Sequence, residues 1–139
     1  MGCDISPHFE VKVDGKWYHH SVPHFERSYK LFTKMANVRT VAGVKPISEP
    51  RGLPDDVSVI TRIESDYEEG HSHSWLDAKE ISELYDFHMS LCDNDHERIH
   101  TGIYEWWYLC GNGWECFSLE DGNYPSRYED IRLVFWFDN

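Results

Sequence analysis

The 139-residue chain has few basic residues, no long apolar run and no paired cysteine motif, and each absence excludes a class of protein. Its 13 lysines and arginines stand against 25 aspartates and glutamates, which gives a formal net charge of -12 at pH 7. A field of this sign repels a polyphosphate backbone, so we expect no binding to long DNA or RNA. No apolar run could cross a membrane, and the polar opening does not resemble a signal peptide. We therefore expect no membrane contact and a cytoplasmic location.

The cysteines also exclude a common kind of metal site. The four are Cys3, Cys92, Cys110 and Cys116, and no two of them form a C-x-x-C pair, so a zinc knuckle is not indicated. In a reducing compartment we expect free thiols. The chain also lacks a Walker loop, a nucleophile elbow, an H-E-x-x-H motif and the paired motifs of two-histidine phosphodiesterases. We predict neither a bound metal nor a cofactor.

The hydrophobic pattern predicts one α+β domain over residues 1–139, with an antiparallel sheet of about five strands and two or three helices on one face. Strands are predicted over residues 5–13, 16–18, 103–110, 114–118 and 131–137, and helices over residues 25–36, 55–67 and 77–91. The pair Asp14-Gly15 is typical of a hairpin turn between the first two strands.

Two of the predicted helices carry local signals. The middle helix has Val57, Ile60 and Ile63 on one face, as expected of a helix that packs on a sheet. The last helix begins with a capping box, in which the side chains of Asp77 and Glu80 each accept from the other residue's backbone N–H.

The run His71-Ser72-His73-Ser74-Trp75 is the main candidate for a functional site. Residues two apart in an extended segment face the same side, so His71 and His73 are expected to face one site, where we assign them to catalysis. Ser74 and Trp75 are assigned to ligand binding. One alternative is a metal site, which needs further ligands from elsewhere. Another is a structural role, in which one ring caps the next helix or packs beside Trp75.

A second candidate lies in the irregular segment of residues 37–54, which is rich in proline and glycine. A stiff backbone there would fix the guanidinium of Arg51, and a fixed planar fork suits a phosphate or a carboxylate. We assign Arg51 and Glu49 to ligand binding. The alternative is an internal ion pair of Arg51 with Glu49, Asp55 or Asp56.

The remaining candidates are single residues. Cys3 is a candidate nucleophile with a histidine as its base, although the residue pattern favours the alternative of a buried thiol that packs as a small hydrophobe. Asp4 could hold a histidine tautomer or accept from a ligand amino group. Trp107 is assigned to stacking on a base. His19 and His20 are expected to form a solvated strand end.

Four runs together resemble a family of small phage and prophage proteins. They are Met1-Gly2-Cys3-Asp4-Ile5, Glu49-Pro50-Arg51-Gly52-Leu53-Pro54-Asp55-Asp56-Val57-Ser58, His71-Ser72-His73-Ser74-Trp75-Leu76 and Arg132-Leu133-Val134-Phe135-Trp136-Phe137-Asp138-Asn139. The resemblance extends from the first residue to the last and implies a bacterial host but no particular reaction. One departure follows the opening run, where relatives commonly carry His and this chain has Ser6.

The resemblance and the candidate residues together suggest a phage anti-defence protein that recognises a small nucleotide-derived immune signal, of cyclic dinucleotide or ADP-ribose type. The link from phage setting to anti-defence role is an analogy. Metal-independent hydrolysis of the signal is favoured over its non-catalytic sequestration. The alternative from another class is an acidic protein that binds and inhibits a host enzyme. A homo-oligomer is compatible with the aromatic surplus, which could supply a subunit contact.

Overall fold

The computed structural model of the protein describes residues 2–94 and 128–139. The strands are β1 (Asp4–Val13), β2 (Lys16–Ser21), β3 (His71–Asp77) and β4 (Asp130–Asp138), and the helices are α1 (Tyr29–Ala36), α2 (Val59–Glu68) and α3 (Ala78–Asn94). The four strands form one antiparallel sheet in the order β2-β1-β4-β3. The predicted α+β class with an antiparallel sheet is therefore confirmed.

The described part of the chain contains four strands, whereas the sequence predicts about five. The predicted strands over residues 103–110 and 114–118 lie outside the described residues, as do Trp107, Cys110, Cys116 and the side chain of Cys92. Strand β3 falls on the histidine run, for which the sequence predicts only an extended segment.

The local turn and capping signals are confirmed. Asp14 and Gly15 have φ angles of 51° and 77°, and two successive positive angles are what a tight type I′ hairpin needs. At the start of α3, the amide of Glu80 donates to Oδ1 of Asp77 over 2.8 Å, and the amide of Asp77 donates to Oε1 of Glu80 over 3.1 Å. These features depend on a few neighbouring residues, which is why the sequence predicts them.

The two faces of the sheet differ in chemistry. In the pairing of β1 with β4, Phe9 lies opposite Leu133, and both belong to the buried apolar cluster that also receives Leu31 of α1 and Ile81 of α3. The other face carries polar and aromatic pairs. These are Ser6 with Trp136, His8 with Val134, and Glu10 with Arg132. We call the two sides the apolar face and the polar face.

The helices lie on both faces, which corrects the predicted arrangement on one face. Phe32 of α1 packs on Phe137 at 5.1 Å between ring centroids, which places α1 on the apolar face. Thr61 of α2 donates to the carboxylate of Glu10, and Trp136 donates to that of Glu68, which places α2 on the polar face. The sheet therefore separates an apolar core from a polar layer.

Helix α2 buries the face opposite to the one that the sequence predicts. Its buried residues are Thr61 and Ser65, whereas the side chains of Ile60 and Ile63 are 53% and 59% exposed. The reason is that the sheet face beneath α2 is polar, so the helix turns its small hydroxyl-bearing residues towards it. Within the described ranges, no helix combines the length and apolar character that a membrane crossing requires.

Candidate functional site

The histidine run, the Arg51 segment and the opening run meet only in part. The amide of Arg51 donates to Oγ of Ser74 over 3.1 Å, and the amide of Gly52 donates to the carbonyl of His73 over 2.7 Å. The Arg51 segment therefore runs along β3. The opening run belongs to β1, and β4 lies between β1 and β3 in the sheet.

Arg51 is engaged in an internal ion pair. Its Nη1 and Nη2 donate to the two carboxylate oxygens of Glu80 over 2.7 Å and 2.6 Å, and Nη1 also donates to the carbonyl of Trp75 over 2.9 Å. The guanidinium lies 4.8 Å from the centre of the Trp75 ring. Burial acts to raise the pKa of Glu80, but hydrogen bonds from Arg51 and the Asp77 amide outweigh it and lower the pKa. Arg51 therefore forms an internal ion pair, which was the alternative to ligand binding, but its partner is Glu80 and none of the three predicted acids.

His71 and His73 do not face one site, which corrects the prediction. Ser72 adopts a φ of 55°, and the pairing of β3 with β4 shifts register between His71 and Ser74. This irregularity breaks the alternation of side chains. The ring of His71 lies 6.3 Å from that of Phe137, whereas the ring of His73 stacks on Trp136 at 5.6 Å. Because residues 136 and 137 are neighbours in β4, the two imidazoles lie towards opposite faces.

The other predicted site residues have structural contacts. Cys3 is fully buried in the apolar cluster as a free thiol. Asp4 forms an ion pair with Arg27 at 2.9 Å. Glu49 accepts from the side-chain amide of Asn37 over 2.9 Å. Among the described contacts, none joins Cys3 or Asp4 to an imidazole, so the proposed nucleophile and its base are not brought together.

The polar face instead carries a row of rings that sequence reasoning missed. We call His19, His8, Trp136 and His73 the ring row, because they supply one ring from each of the strands β2, β1, β4 and β3. Nδ1 of His8 lies 3.0 Å from Nε2 of His19, and the ring of His8 stacks on Trp136 at 4.8 Å with an angle of 19°. His73 stacks on Trp136 as well.

The structure also corrects the prediction for His19. This residue is only partly exposed and hydrogen-bonds to His8, so it is not part of a solvated strand end. The sequence holds one signal of the polar face, because Ser6, His8 and Glu10 are polar at every second position of a buried strand.

A pocket of about 530 Å³ opens at one end of the ring row. It lies between β1, α2 and the segment that follows β2. We call it the strand–helix pocket. The titratable residues that line it are His8, His19, His24, Glu64 and Glu68. No lysine or arginine lines it in the described part of the chain. The pocket therefore offers imidazoles and carboxylates but no fixed cation for a phosphate.

Glu68 is held in a fixed position at the pocket. The indole N–H of Trp136 donates to its Oε2 over 2.9 Å, and the hydroxyl of Ser6 donates to the same oxygen. Neither bond uses Oε1. A carboxylate anchored through one oxygen keeps the other for a ligand, without the entropy cost of immobilising the side chain during binding.

His8 is a neutral imidazole at physiological pH. Burial, followed by the nearby charge of His19, lowers its pKa to about 4 from an ordinary value of 6.5, although Glu68 and Glu10 act in the opposite direction. One of the two rings therefore donates the proton of the His8–His19 hydrogen bond and the other accepts it. A neutral imidazole beside a fixed carboxylate is an arrangement that can accept, donate or relay a proton.

Within residues 2–94 and 128–139, no three or more His, Cys, Asp or Glu side chains are arranged to hold a metal ion. Comparisons with protein-family models, with curated proteins and with solved structures found no match for this chain.

Proposed function

We propose that the protein binds a small nucleoside-like molecule in the strand–helix pocket and that, in a phage-infected bacterial cell, this molecule is a nucleotide-derived immune signal. The observation that supports the proposal most directly is the joint lining of one pocket by the neutral His8 and the anchored Glu68. The volume of about 530 Å³ lies within the range of pockets that bind small molecules.

The lining favours recognition through the base and the sugar. Carboxylates of Glu64 and Glu68 accept hydrogen bonds from ribose hydroxyls or an exocyclic amino group, and the imidazoles pair with donors or acceptors on a base edge. Because no lysine or arginine among the described residues lines the pocket, phosphates of the ligand would remain in solvent at the pocket mouth. This assignment replaces the earlier expectation that Arg51 holds a phosphate.

If binding leads to cleavage, the same lining favours an N-glycosidic bond over a phosphodiester bond. Positive charge develops on the sugar when a glycosidic bond breaks, and nearby carboxylates stabilise it. Glu64 and Glu68 are one helical turn apart and line the same pocket. A phosphodiester reaction would instead build up negative charge beside these carboxylates. This reasoning favours ligands of the ADP-ribose type over cyclic dinucleotides.

The first experiment incubates the purified protein with cyclic dinucleotides and cyclic ADP-ribose isomers, with chromatography before and after heat denaturation. New product peaks would indicate an enzyme and identify the bond. Ligand that disappears and returns on heating would indicate sequestration. If no ligand is lost or converted, the proposed function is wrong.

A matched pair of variants connects the result to the pocket. Glu68→Gln keeps the acceptor for Trp136 and Ser6 but removes the negative charge, and we expect it to weaken binding by about tenfold or more. Glu69→Gln makes the same chemical change at the next residue, which is exposed and does not line the pocket. Equal binding by both variants would place the ligand elsewhere.

A further inference from the structure

The outward face of α2 is apolar over its whole length. Val59, Ile60, Ile63 and Tyr67 are 75%, 53%, 59% and 85% exposed. Residues 59, 63 and 67 follow the spacing of four that forms a stripe along a helix. Val22, which is 58% exposed, lines the strand–helix pocket together with Ile60, so the apolar surface continues beyond the helix. Soluble monomers seldom expose a continuous apolar surface of this kind.

The charged residues beside this stripe can pair with the same residues of a second copy that is related by a two-fold rotation. Arg62 and Asp66 lie on the same flank of the stripe, one helical turn apart and with opposite charge. Among the described residues, the guanidinium of Arg62 has no ion pair. When two copies of α2 pack antiparallel about Ile63, the same flanks face each other. Arg62 then lies near the partner's Asp66, and Asp66 near the partner's Arg62.

The apolar residues pair equally well in this arrangement. Ile63 meets the partner's Ile63 on the two-fold axis, and Val59 lies opposite the partner's Tyr67. A symmetric dimer requires such a surface, in which one patch is complementary to itself. We propose that the outward face of α2 is a homodimer interface, with a second copy of this chain as its occupant. The proposal is independent of the ligand-binding function.

The size of the surface sets the expected affinity. A helix of ten residues is roughly 15 Å long, so even with Val22 the contact is smaller than a standard interface of roughly 800 Å² per partner. The net charge of -12 on each copy also opposes association. We therefore expect a reversible dimer with a dissociation constant of about 10–100 µM. Because Ile60 also lines the strand–helix pocket, the second copy would lie beside the pocket mouth.

Sedimentation velocity tests the interface over a range from about 1 to about 300 µM protein. The wild-type mass should rise from that of one chain, 16.5 kDa, towards twice that value. Ile63→Glu places two like charges on the two-fold axis and should remain monomeric throughout. A wild-type protein that remains monomeric at the highest concentration would overturn the proposal and would leave this face to a different partner, such as a basic host protein. Undiminished association of the Ile63→Glu variant would also overturn it.

A charge exchange tests the orientation of the two copies. Arg62→Asp and Asp66→Arg should each weaken association by about tenfold, because each sets like charges against each other across the interface. The double variant restores opposite charges and should recover wild-type association. Both substitutions are on exposed residues, so circular dichroism should show an unchanged fold in all three variants. Failure of the double variant to recover would overturn the antiparallel arrangement on which the proposal depends.

Discussion

At the scale of single residues, the position of His8 in the fold, and not its residue type, gives this imidazole its lowered pKa. It is 3% exposed, stacks on Trp136 and hydrogen-bonds to His19. The chain contains nine histidines, and the only local signal that marks His8 is the polar alternation of Ser6, His8 and Glu10 along β1. Its environment comes from Trp136 of β4, which is far from it in the sequence, and from His19 of β2, which is 11 residues away across the hairpin. The local pattern instead favours His71 and His73, which lie two residues apart in one run.

The lowered pKa of His8 makes stability depend on pH. The unfolded chain binds a proton at this residue near pH 6.5, whereas the folded chain binds it only near pH 4, so the stabilising contribution is complete above pH 6.5 and is lost as the pH falls towards 4. Between pH 7.5 and pH 5, the free energy of unfolding should fall by about 2 kcal/mol through His8 alone. Burial also lowers the pKa values of His20, His73 and His88, which act in the same direction.

Urea denaturation at both pH values measures this effect in the wild type and in His8→Asn. The amide of Asn can keep a hydrogen bond near the position of Nδ1 but does not titrate. The variant should therefore show a pH dependence that is smaller by about 2 kcal/mol. An equal pH dependence in both proteins would mean that His8 does not remain neutral in the fold.

At the scale of single elements, α2 is attached to the sheet by a buried polar network. The carboxylate of Glu10 is fully buried and accepts from Nε of Arg132 over 2.8 Å, from the amide of Ser58 over 2.9 Å and from the hydroxyl of Thr61 over 2.8 Å. Burial acts to raise the pKa of Glu10, and these hydrogen bonds outweigh it and lower the pKa. Asp56 binds the far side of Arg132 at 2.8 Å. A carboxylate from β1 thus caps the start of α2.

Removal of the charge of Glu10 should therefore destabilise the protein strongly. In Glu10→Gln, one of the two carboxylates that offset the buried Arg132 is lost, and we expect the free energy of unfolding to fall by about 3 kcal/mol or more. Glu83→Gln is the matched control, because Glu83 is 58% exposed in its ion pair with Lys34 and should contribute less than about 1 kcal/mol. Chemical denaturation of the two variants should separate them clearly. Similar losses would contradict the role of Glu10.

The elements also show where sequence reasoning succeeds. The Asp14-Gly15 turn and the capping box of Asp77 and Glu80 are predicted correctly, because their geometry is decided within four residues. The hydrophobic pattern finds α2 but gives its orientation wrongly, because it assumes that an apolar stripe faces the sheet. The register shift in β3 comes from Ser72, whose positive φ has no signal in the sequence.

At the scale of the whole molecule, the sheet separates the side chains that build the core from those that line the candidate site. The α+β class follows from the sequence because strand and helix patterns depend on composition and periodicity. The candidate site does not, because Glu68, His8 and His19 come from three different elements and meet only after α2 settles on the polar face. None of the titratable residues that line the pocket is among the catalytic or ligand-binding residues that the sequence predicts.

This separation predicts that substitutions on opposite faces act independently on stability. Phe32→Leu removes part of a ring that packs on Phe137, and Thr61→Ala removes a hydrogen bond to Glu10 on the other side of the sheet. Each should lower the free energy of unfolding by about 1–3 kcal/mol. Because the sites share no partner, the loss in the double variant should equal the sum of the single losses within about 0.5 kcal/mol.

A double-mutant cycle from urea denaturation, at low micromolar concentration, measures the departure from that sum. Thr61→Ala with Glu10→Gln is the matched cycle within one face, and it should depart from additivity because these two side chains share a hydrogen bond. If the losses add across the sheet but not within the polar face, substitutions in the polar layer leave the contribution of core packing to the free energy of unfolding unchanged. Coupling above about 1 kcal/mol between Phe32 and Thr61 would instead mean that the sheet transmits strain between the faces, so that the pocket depends on core packing.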